Sequence, residues 1–267
     1  MPSNPKKSEL PDLAVELRDG TAILTIDRPE YRNALGLDLA ASLLQTFDRL
    51  ERDPSVRAIV LTGRGEGFCS GAQLGSLIDP NGMDHEAQLH VVREFNRVAQ
   101  RMRELDLPII GAINGAAVGG GAALALSCDI AVASEKASYF FAFGRVGAAA
   151  CDMACAYLLP KIVGTVVAQH WFLTGATIGA EEGRRHGLFV DVVAPERLME
   201  RALEIAQQIQ TASPRRAAAI SKQVVLRGQD IDFQTCAIYE TYLQSYLFTT
   251  DEHRSRLGAL MSSLNKR

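Results

Sequence analysis

The chain has 267 residues, of which 47% are hydrophobic and 22% are charged, and its formal net charge is −3 at pH 7. This length and balance are typical of an enzyme-sized globular protein. The composition offers no basic surface for nucleic acid or for an anionic membrane, and the longest apolar run, within 116–126, is too short to cross a bilayer.

The first eleven residues and the cysteines predict a protein of the cytoplasm. Residues 1–11 are polar and contain prolines, which predicts a disordered lead rather than a signal peptide. Five cysteines are an odd number in a chain of this kind, and reduced, buried thiols are the expected state. Neither the cysteines nor the five histidines have the spacing of metal ligands, so no metal site is expected.

The N-terminal part of the chain predicts strands that alternate with helices. Apolar residues in 14–17 and 22–26 flank Arg18-Asp19-Gly20, which predicts a β-hairpin. The loop DRPEYRNAL leads into 38–52, where leucines keep the spacing of an amphipathic helix. The β-branched run at 57–62 predicts a buried strand that ends in the loop GRGEGFCSGAQL.

The same plan repeats further along the chain and then changes to helices alone. Strands are predicted at 108–113, 130–133, 138–141 and 188–193. Helices are predicted at 85–105, 157–163, 166–173, 181–186 and 196–210, and the pattern stays helical from 214 to 267 with breaks at Gly228 and Thr249. Strands alternating with helices, followed by helices only, indicate an α/β core with a helical C-terminal region.

A glycine-rich stretch, GAINGAAVGGGAALALSCD at 111–129, connects a predicted strand to an apolar helix. Glycine lets a ligand approach the backbone closely, although it lowers helix stability relative to alanine. The start of a helix adds free N–H groups and a partial positive charge. The stretch therefore predicts a site where negative charge contacts the backbone, and tight packing of the helix on a sheet remains the alternative.

Two loops together predict a particular kind of site. Residues 68–72 (FCSGA) and 118–121 (VGGG) each follow a strand and carry small side chains. Two backbone N–H groups aimed at a thioester oxygen would stabilise developing charge by about 3–4 kcal/mol per donor. Neither loop has the spacing of a dinucleotide-binding, phosphate-binding or serine-nucleophile motif.

Several segments, in order, resemble the crotonase, or enoyl-CoA hydratase/isomerase, superfamily over roughly residues 12–265. They are DRPEYRNAL, RAIVLTGRGEGFCSGAQL, PIIGAINGAAVGGGAALALSCDIAVASEKASY, LLPKIVG and HGLFVDVV. The resemblance implies a crotonase-like spiral of ββα units over 12–200, which holds an acyl-CoA site, and a helical trimerisation region over 201–267. It also implies a homotrimer or a dimer of trimers, and no cofactor other than the coenzyme A of the thioester substrate.

The same resemblance assigns roles to individual residues. The two oxyanion N–H groups fall on Ala72 and Gly120. The two glutamates that hydratases use fall on Ala123 and Phe143, and neither of these side chains can transfer a proton. The two-glutamate route for hydration of a 2-enoyl-CoA is therefore not expected.

One carboxylate remains as a candidate for proton transfer. AFGRVGAAACDMACAYLLPKIVG is similar to the corresponding stretch of isomerase-type members, with one extra residue before the aspartate. Aligned from LLPKIVG, Asp152 falls on the aspartate that shuttles a proton in Δ3,Δ2-enoyl-CoA isomerases. Apolar neighbours would raise the pKa of a buried Asp152 and suit it to act as a base; the alternative role is a helix N-cap.

The remaining candidates would contact the substrate. Arg28, Tyr31 and Arg32 lie on the loop that in relatives is near the nucleotide end of coenzyme A, and guanidinium groups pair well with phosphate. Ordinary surface charge is the alternative for the two arginines. Gln73 stands where the family usually has an aspartate, and the other predicted contacts are Ala72, Gly120, Leu74 and Phe143.

Double-bond isomerisation is the reaction that these residues predict, with Asp152 moving a proton on an enolate held by Ala72 and Gly120. Hydratase-like activity is an alternative, as is a dehalogenase-like or hydrolase-like reaction in which Asp152 attacks the acyl group. The dehalogenase histidine would fall near Asn96, which weakens that alternative. A catalytically silent protein that binds acyl-CoA is the third.

Overall fold

A six-stranded sheet forms the centre of the computed structural model, which describes residues 12–73, 82, 84–150 and 152–264. The predicted lead, residues 1–11, and Leu74 lie outside the described residues. The strand order is β1-β2-β3-β4-β6-β9. These strands are β1 (Leu13–Arg18), β2 (Thr21–Ile26), β3 (Ala58–Gly63), β4 (Ile109–Ile113), β6 (Ile130–Ser134) and β9 (Asp191–Val193).

The predicted hairpin is confirmed, and the rest of the sheet is parallel. β1 pairs antiparallel with β2 through a turn in which Asp19 and Gly20 have φ values of 46° and 75°. β2, β3, β4, β6 and β9 are mutually parallel. Every residue of β3 and β4 is buried, as continuous apolar runs in a parallel sheet require.

Helices cover both faces of this sheet. On one face lie α1 (Leu37–Arg52), α2 (His85–Glu104) and α3 (Gly120–Leu126), packed in one core with alternate strand residues such as Ile59 and Leu61. The opposite face, with Val60 and Ile110, packs against α7 (Leu198–Ala212). α7 continues across the predicted boundary at residue 200 and contacts β3, β4 and β6.

A second, smaller sheet joins β5 (Ala116–Val118), β7 (Ser138–Phe140) and β8 (Thr177–Gly179). The sequence did not predict β5, which lies inside the glycine-rich stretch, or β8, which lies between the helices predicted at 166–173 and 181–186. β5 follows β4 directly and leads into α3, so the two sheets and the helix form one turn of a ββα spiral.

The remaining elements are helical, as predicted for the C-terminal region. They are α4 (Cys155–Val163), α5 (Thr165–Thr174), α6 (Ala180–Arg185), α8 (Arg215–Gly228), α9 (Phe233–Phe248) and α10 (Asp251–Leu264). α9 and α10 contain no buried residue. Among the described helices, none has the length and hydropathy needed to span a bilayer.

A buried lysine fastens α8 to the core. Lys222 Nζ lies 2.9 Å from Asp129 Oδ2 and donates hydrogen bonds to Met102 O and Leu107 O. Asp129 Oδ2 also accepts the Ile109 N–H at 2.8 Å. Burial lowers the pKa of Lys222 and raises the pKa of Asp129, and the ion pair opposes both shifts. Each charged side chain is therefore stabilised by the opposite charge of the other.

Candidate active site

The backbone N–H groups of Ala72 and Gly120 converge on one place. Ala72 ends the loop that follows β3, and Gly120 is the first residue of α3. A Cβ atom added to Gly120 would lie 3.8 Å from Ala72 N, and one added to Gly71 would lie 3.3 Å from Gly120 N. Neither N–H donates to a backbone acceptor among the described residues. Two such donors can stabilise a negative charge on an oxygen placed between them.

Glycines make this convergence possible for two different reasons. Gly71 has a φ of +86°, and a Cβ there would lie 2.5 Å from Val118 O. A Cβ on Gly121 would lie 2.1 Å from Cys69 O, so this glycine is required for packing. Gly120 has no such clash, and a side chain there would instead enter the space beside Ala72 N. The packing role considered for the glycine-rich stretch therefore occurs at Gly121, and the role in contacting negative charge stays a prediction for Gly120.

A cavity of about 410 Å³ opens in front of the two donors. It lies between the segments that carry Ala72 and Gly120, the helix α2 and the 3₁₀ turn Ala142–Val146. Its apolar wall consists of Val91, Val92, Phe95, Val118, Ala142, Phe143, Val146, Ala148 and Ala149. Ser70, Gln88 and Asp152 are the polar side chains that line it, and Asp152 is the only carboxylate among the described lining residues.

Asp152 is largely withdrawn from solvent and poorly compensated. Its Oδ1 atom is buried and has no hydrogen-bond partner in the described part of the structure. Burial raises the pKa of Asp152 above its ordinary value of 3.8, and the neighbouring Met153 N–H opposes that shift. A raised pKa makes an ionised carboxylate a stronger base for proton transfer than an ordinary carboxylate.

The alternative role of Asp152 as a helix N-cap is wrong. α4 begins at Cys155, its N-cap residue is Ala154, and no side chain caps the helix. Met153 and Ala154 have φ values of 48° and 59°, in the left-handed region that residues with a Cβ rarely adopt. This strained turn separates Asp152 from the helix, and the carboxylate lies in the cavity wall instead.

Ala123 and Phe143, on which the resemblance places the two hydratase glutamates, both carry apolar side chains. Ala123 is fully buried inside α3, and Phe143 is buried in the 3₁₀ turn that lines the cavity. Phe143 therefore supplies an apolar part of the cavity wall.

Arg28, one of the predicted coenzyme A contacts, is engaged by other groups of the protein. Its guanidinium donates to Ala34 O at 2.9 Å and to Gln73 Oε1 at 3.2 Å, and its Nε lies 3.3 Å from Asp12 Oδ2. The side chain is buried, with its guanidinium carbon 5.0 Å from the centre of the Tyr31 ring. Gln73 is thus held by Arg28, away from the lining of the cavity.

Tyr31 and Arg32 belong to the exposed part of the same loop. The side chain of Tyr31 is half exposed, and Arg32 ends the 3₁₀ turn Pro29–Tyr31 with a φ of 53°. Neither residue lines the cavity. Both side chains face solvent. The backbone beside them contacts the segment that carries Ala72, since Ser70 N donates to Arg32 O at 3.2 Å.

Sequence reasoning missed the contribution of α2 to this site. Val92 and Phe95 were predicted only as part of the apolar face of the helix at 85–105, and the structure places both of them, with Val91, in the cavity wall. Their spacing identifies a shared face of the helix, but no spacing within a helix indicates what that face contacts.

A spiral of ββα units with two convergent backbone donors at an apolar cavity defines the class of protein to which the crotonases belong. The chain belongs to the enoyl-CoA hydratase/isomerase family, whose sequence profile it matches over residues 16–262.

Individual relatives agree with this assignment. A Mycobacterium leprae protein named as a probable enoyl-CoA hydratase is 38% identical over 218 residues, which cover 80% of this chain and 74% of the relative. The 1,2-epoxyphenylacetyl-CoA isomerase of Escherichia coli is 31% identical over 244 residues, 91% of this chain and 92% of the relative. The solved structure of an enoyl-CoA hydratase from Bacillus anthracis matches with a TM-score of 0.88 and 29% identity, covering 96% of this chain and 97% of that one.

Proposed function

We propose that this protein isomerises an enoyl-CoA thioester by moving a carbon–carbon double bond. The observation that carries the proposal is the position of Asp152, the single carboxylate among the described lining residues, in the same cavity as the Ala72 and Gly120 N–H groups. A double-bond shift needs one group that removes a proton and returns it elsewhere, and it consumes neither water nor an oxidant.

The reaction proceeds through an enolate. The Asp152 carboxylate takes a proton from C2 of a 3-enoyl-CoA, and the electron pair of that C–H bond moves onto the thioester oxygen. The Ala72 and Gly120 N–H groups donate to this oxygen, with about 3–4 kcal/mol of stabilisation per well-placed donor. Asp152 then returns the proton to C4, where the π pair of C3–C4 forms the new C–H bond. The C1–C2 π pair of the enolate becomes the C2–C3 double bond, the electron pair on oxygen restores the thioester carbonyl, and a 2-enoyl-CoA leaves.

Ala123 and Phe143 favour isomerisation over hydration. Addition of water requires one group to activate the water and another to protonate the α-carbon, and neither alanine nor phenylalanine can do either. The names of the relatives include both hydratases and an isomerase of a CoA thioester, so they are compatible with either reaction. The choice between the reactions therefore depends on the side chains of this chain.

Turnover of a 3-enoyl-CoA by the wild type and by Asp152→Asn tests the proposal. The variant should lose about 10²–10⁴-fold in kcat, because asparagine keeps the shape of the carboxylate but cannot carry the proton. Asp251→Asn is the matched control, since the side chain of Asp251 is 96% exposed and far from the cavity. An Asp152→Asn variant as active as the wild type would contradict the proposal, and so would an acyl group found covalently attached to Asp152 by mass spectrometry.

The proposal extends to assembly as a homotrimer or a dimer of trimers. α9 and α10 contain no buried residue, and large apolar side chains such as Phe233 and Tyr242 are 86% and 73% exposed. Exposed apolar surface of this kind marks a protein–protein interface. Light scattering of the purified chain should give three or six times the 28.9 kDa mass, and a monomer would contradict this part of the proposal.

A further inference from the structure

The segment that carries Ala72, here called the donor loop (residues 64–73), lies between two other segments. On one side it pairs with the chain around Leu35, where Leu35 N donates to Gly71 O at 2.7 Å and Gln73 N donates to Leu35 O at 3.0 Å. These bonds fix the end of the donor loop at Ala72 and leave the Ala72 N–H directed away from Leu35, as expected for parallel pairing.

On the other side the donor loop pairs with β5, which leads to Gly120. Phe68 N donates to Ala116 O at 3.1 Å, and Val118 N donates to Cys69 O at 2.9 Å. The two N–H donors of the site therefore belong to adjacent segments joined by backbone hydrogen bonds. Their relative position depends on how the beginning of the donor loop is held.

Two asparagine side chains hold that beginning at one atom, the carbonyl oxygen of Gly67. Asn33 Nδ2 donates to Gly67 O at 2.9 Å, and Asn114 Nδ2 donates to the same oxygen at 3.1 Å. Asn33 belongs to the segment that pairs with Ala72, and Asn114 precedes β5. The Gly67 carbonyl is thus the point at which all three segments meet.

Each amide makes further bonds that fix its orientation. Asn33 Nδ2 also donates to Arg64 O at 2.9 Å, and Asn114 Nδ2 donates to Gly65 O at 2.9 Å. Asn33 Oδ1 accepts the Arg28 N–H, and Asn114 Oδ1 accepts the Gly63 N–H at 3.2 Å. Apart from a hydrogen bond of 3.4 Å from Thr62 Oγ1 to Asn114 Oδ1, the bonds of the two side chains are to backbone near the start of the donor loop or of its neighbour.

The donor loop needs such support because its own sequence provides little. Gly65 has a φ of +77° and no atom within 4 Å of an added Cβ, so neither a side chain nor packing restricts it. Asn33 is 1% exposed and itself adopts a left-handed φ of 56°, which asparagine tolerates better than most residues. Hydrogen bonds from the two amides thus replace the missing side-chain packing.

We infer that Asn33 and Asn114 act together as positioning residues for the Ala72 and Gly120 donors, through their shared hydrogen bonds to Gly67 O. The inference rests on the proposed function, in which those donors stabilise the enolate. Displacement of a catalytic group by about 1 Å can cost 10²-fold in rate. Loss of either amide should therefore lower kcat by about 10- to 100-fold while the affinity for a saturated acyl-CoA changes by less than about threefold.

Asn33→Gly and Asn114→Ala test this inference, since glycine accepts the left-handed φ at residue 33 without added strain. Ser134→Ala is the matched control. Ser134 is the fully buried last residue of β6, its Oγ accepts the Lys136 N–H, and it does not line the cavity. Because each asparagine holds the same carbonyl, the kcat of the double variant should be only slightly lower than that of the less active single variant, as expected for coupled residues. Asn114→Ser provides a milder change should Asn114→Ala fail to fold.

Amide hydrogen exchange of the peptide spanning the donor loop gives a second measurement that does not depend on turnover. Both variants should exchange faster there than the wild type, and Ser134→Ala should not. Unchanged exchange would overturn the inference even if the proposed isomerisation were correct. Faster exchange with an unchanged kcat would also overturn it, since the two asparagines would then hold the donor loop without positioning the N–H donors. If no isomerisation is found in the wild type, the proposed function fails. Faster exchange in the two variants would still establish that Asn33 and Asn114 hold the donor loop.

Discussion

The thioether of Met153 packs beside Gly120, with Sδ 3.6 Å from the position of a Cβ added to that glycine. Met153 is fully buried and follows Asp152 directly in the chain. The proposed base and one of the proposed oxyanion donors are therefore connected by a single covalent neighbour and one packing contact. Because protein interiors are closely packed, a displacement on either side of this contact is transmitted to the other.

Adjacent glycines of α3 should respond differently to alanine. Gly120→Ala places a methyl group 3.8 Å from Ala72 N without a clash, so the protein should fold while the enolate oxygen is kept from its donors. We expect a loss of about 10²–10³-fold in kcat for 3-enoyl-CoA isomerisation with a small change in Tm.

Gly121→Ala is the contrasting variant, because its Cβ would lie 2.1 Å from Cys69 O. This clash with backbone should lower the Tm or prevent folding, since interiors do not accommodate added atoms without displacement. Calorimetry together with steady-state kinetics separates the two effects. Equal losses of stability in both variants would contradict the assigned roles.

The left-handed conformation of Ala154 predicts a stabilising substitution. At a φ of 59°, alanine carries a steric cost that glycine avoids, so Ala154→Gly should raise the free energy of unfolding by about 1 kcal/mol. Ala41→Gly, at an exposed position inside α1, should instead lower it by about 1 kcal/mol. Urea unfolding measures both changes, and the same sign for both would show that Ala154 is not strained.

The elements that the sequence predicted well are those whose burial is visible in a single segment. β3 and β4 are continuous apolar runs because both of their faces are covered, and α1 and α2 each present one apolar face to the core. β5 and β8 could not be predicted, because each forms only through pairing with β7, which lies elsewhere in the chain.

The close backbone approach at the candidate site could be predicted from the sequence, but the contacts between residues far apart in the chain could not. The small residues around Ala72 and Gly120 indicate close approach of two backbones, which is a local property. The engagement of Arg28 with Gln73 joins residues 45 positions apart, and no local pattern indicates it. The left-handed turn after Asp152 is likewise imposed by packing, since neither Met153 nor Ala154 favours it.

The ion pair between Lys222 and Asp129 should be important for stability. Lys222→Met leaves the Asp129 carboxylate buried without its closest cation, and we expect a loss of about 3 kcal/mol in the free energy of unfolding. Lys161→Met is the control, because Lys161 pairs with Asp230 at the surface and should shift the urea midpoint far less. Similar shifts for both variants would indicate that burial of the Lys222 pair is incidental.

The buried carboxylate of Asp152 should make the protein less stable at neutral pH than its inactive variant. Burial raises the pKa of Asp152 in the folded state above the ordinary 3.8, so the folded protein binds this proton more tightly than the unfolded chain. Below pH 3.8 both states are protonated and the carboxyl carries no penalty. As the pH rises through the unfolded pKa towards the raised folded pKa, the unfolded chain ionises first and the stability of the wild type falls.

Asp152→Asn removes this titration, so its Tm should exceed that of the wild type at pH 7, and the difference should shrink towards zero near pH 4. Such a gain in stability with a loss of activity is expected where a site retains an unfavourable group for its chemistry. Scanning calorimetry of both proteins from pH 4 to pH 8 measures the difference. A constant Tm difference across this range would mean that the Asp152 carboxylate titrates alike in both states, and a carboxylate of that kind would be solvated rather than held ready as a base.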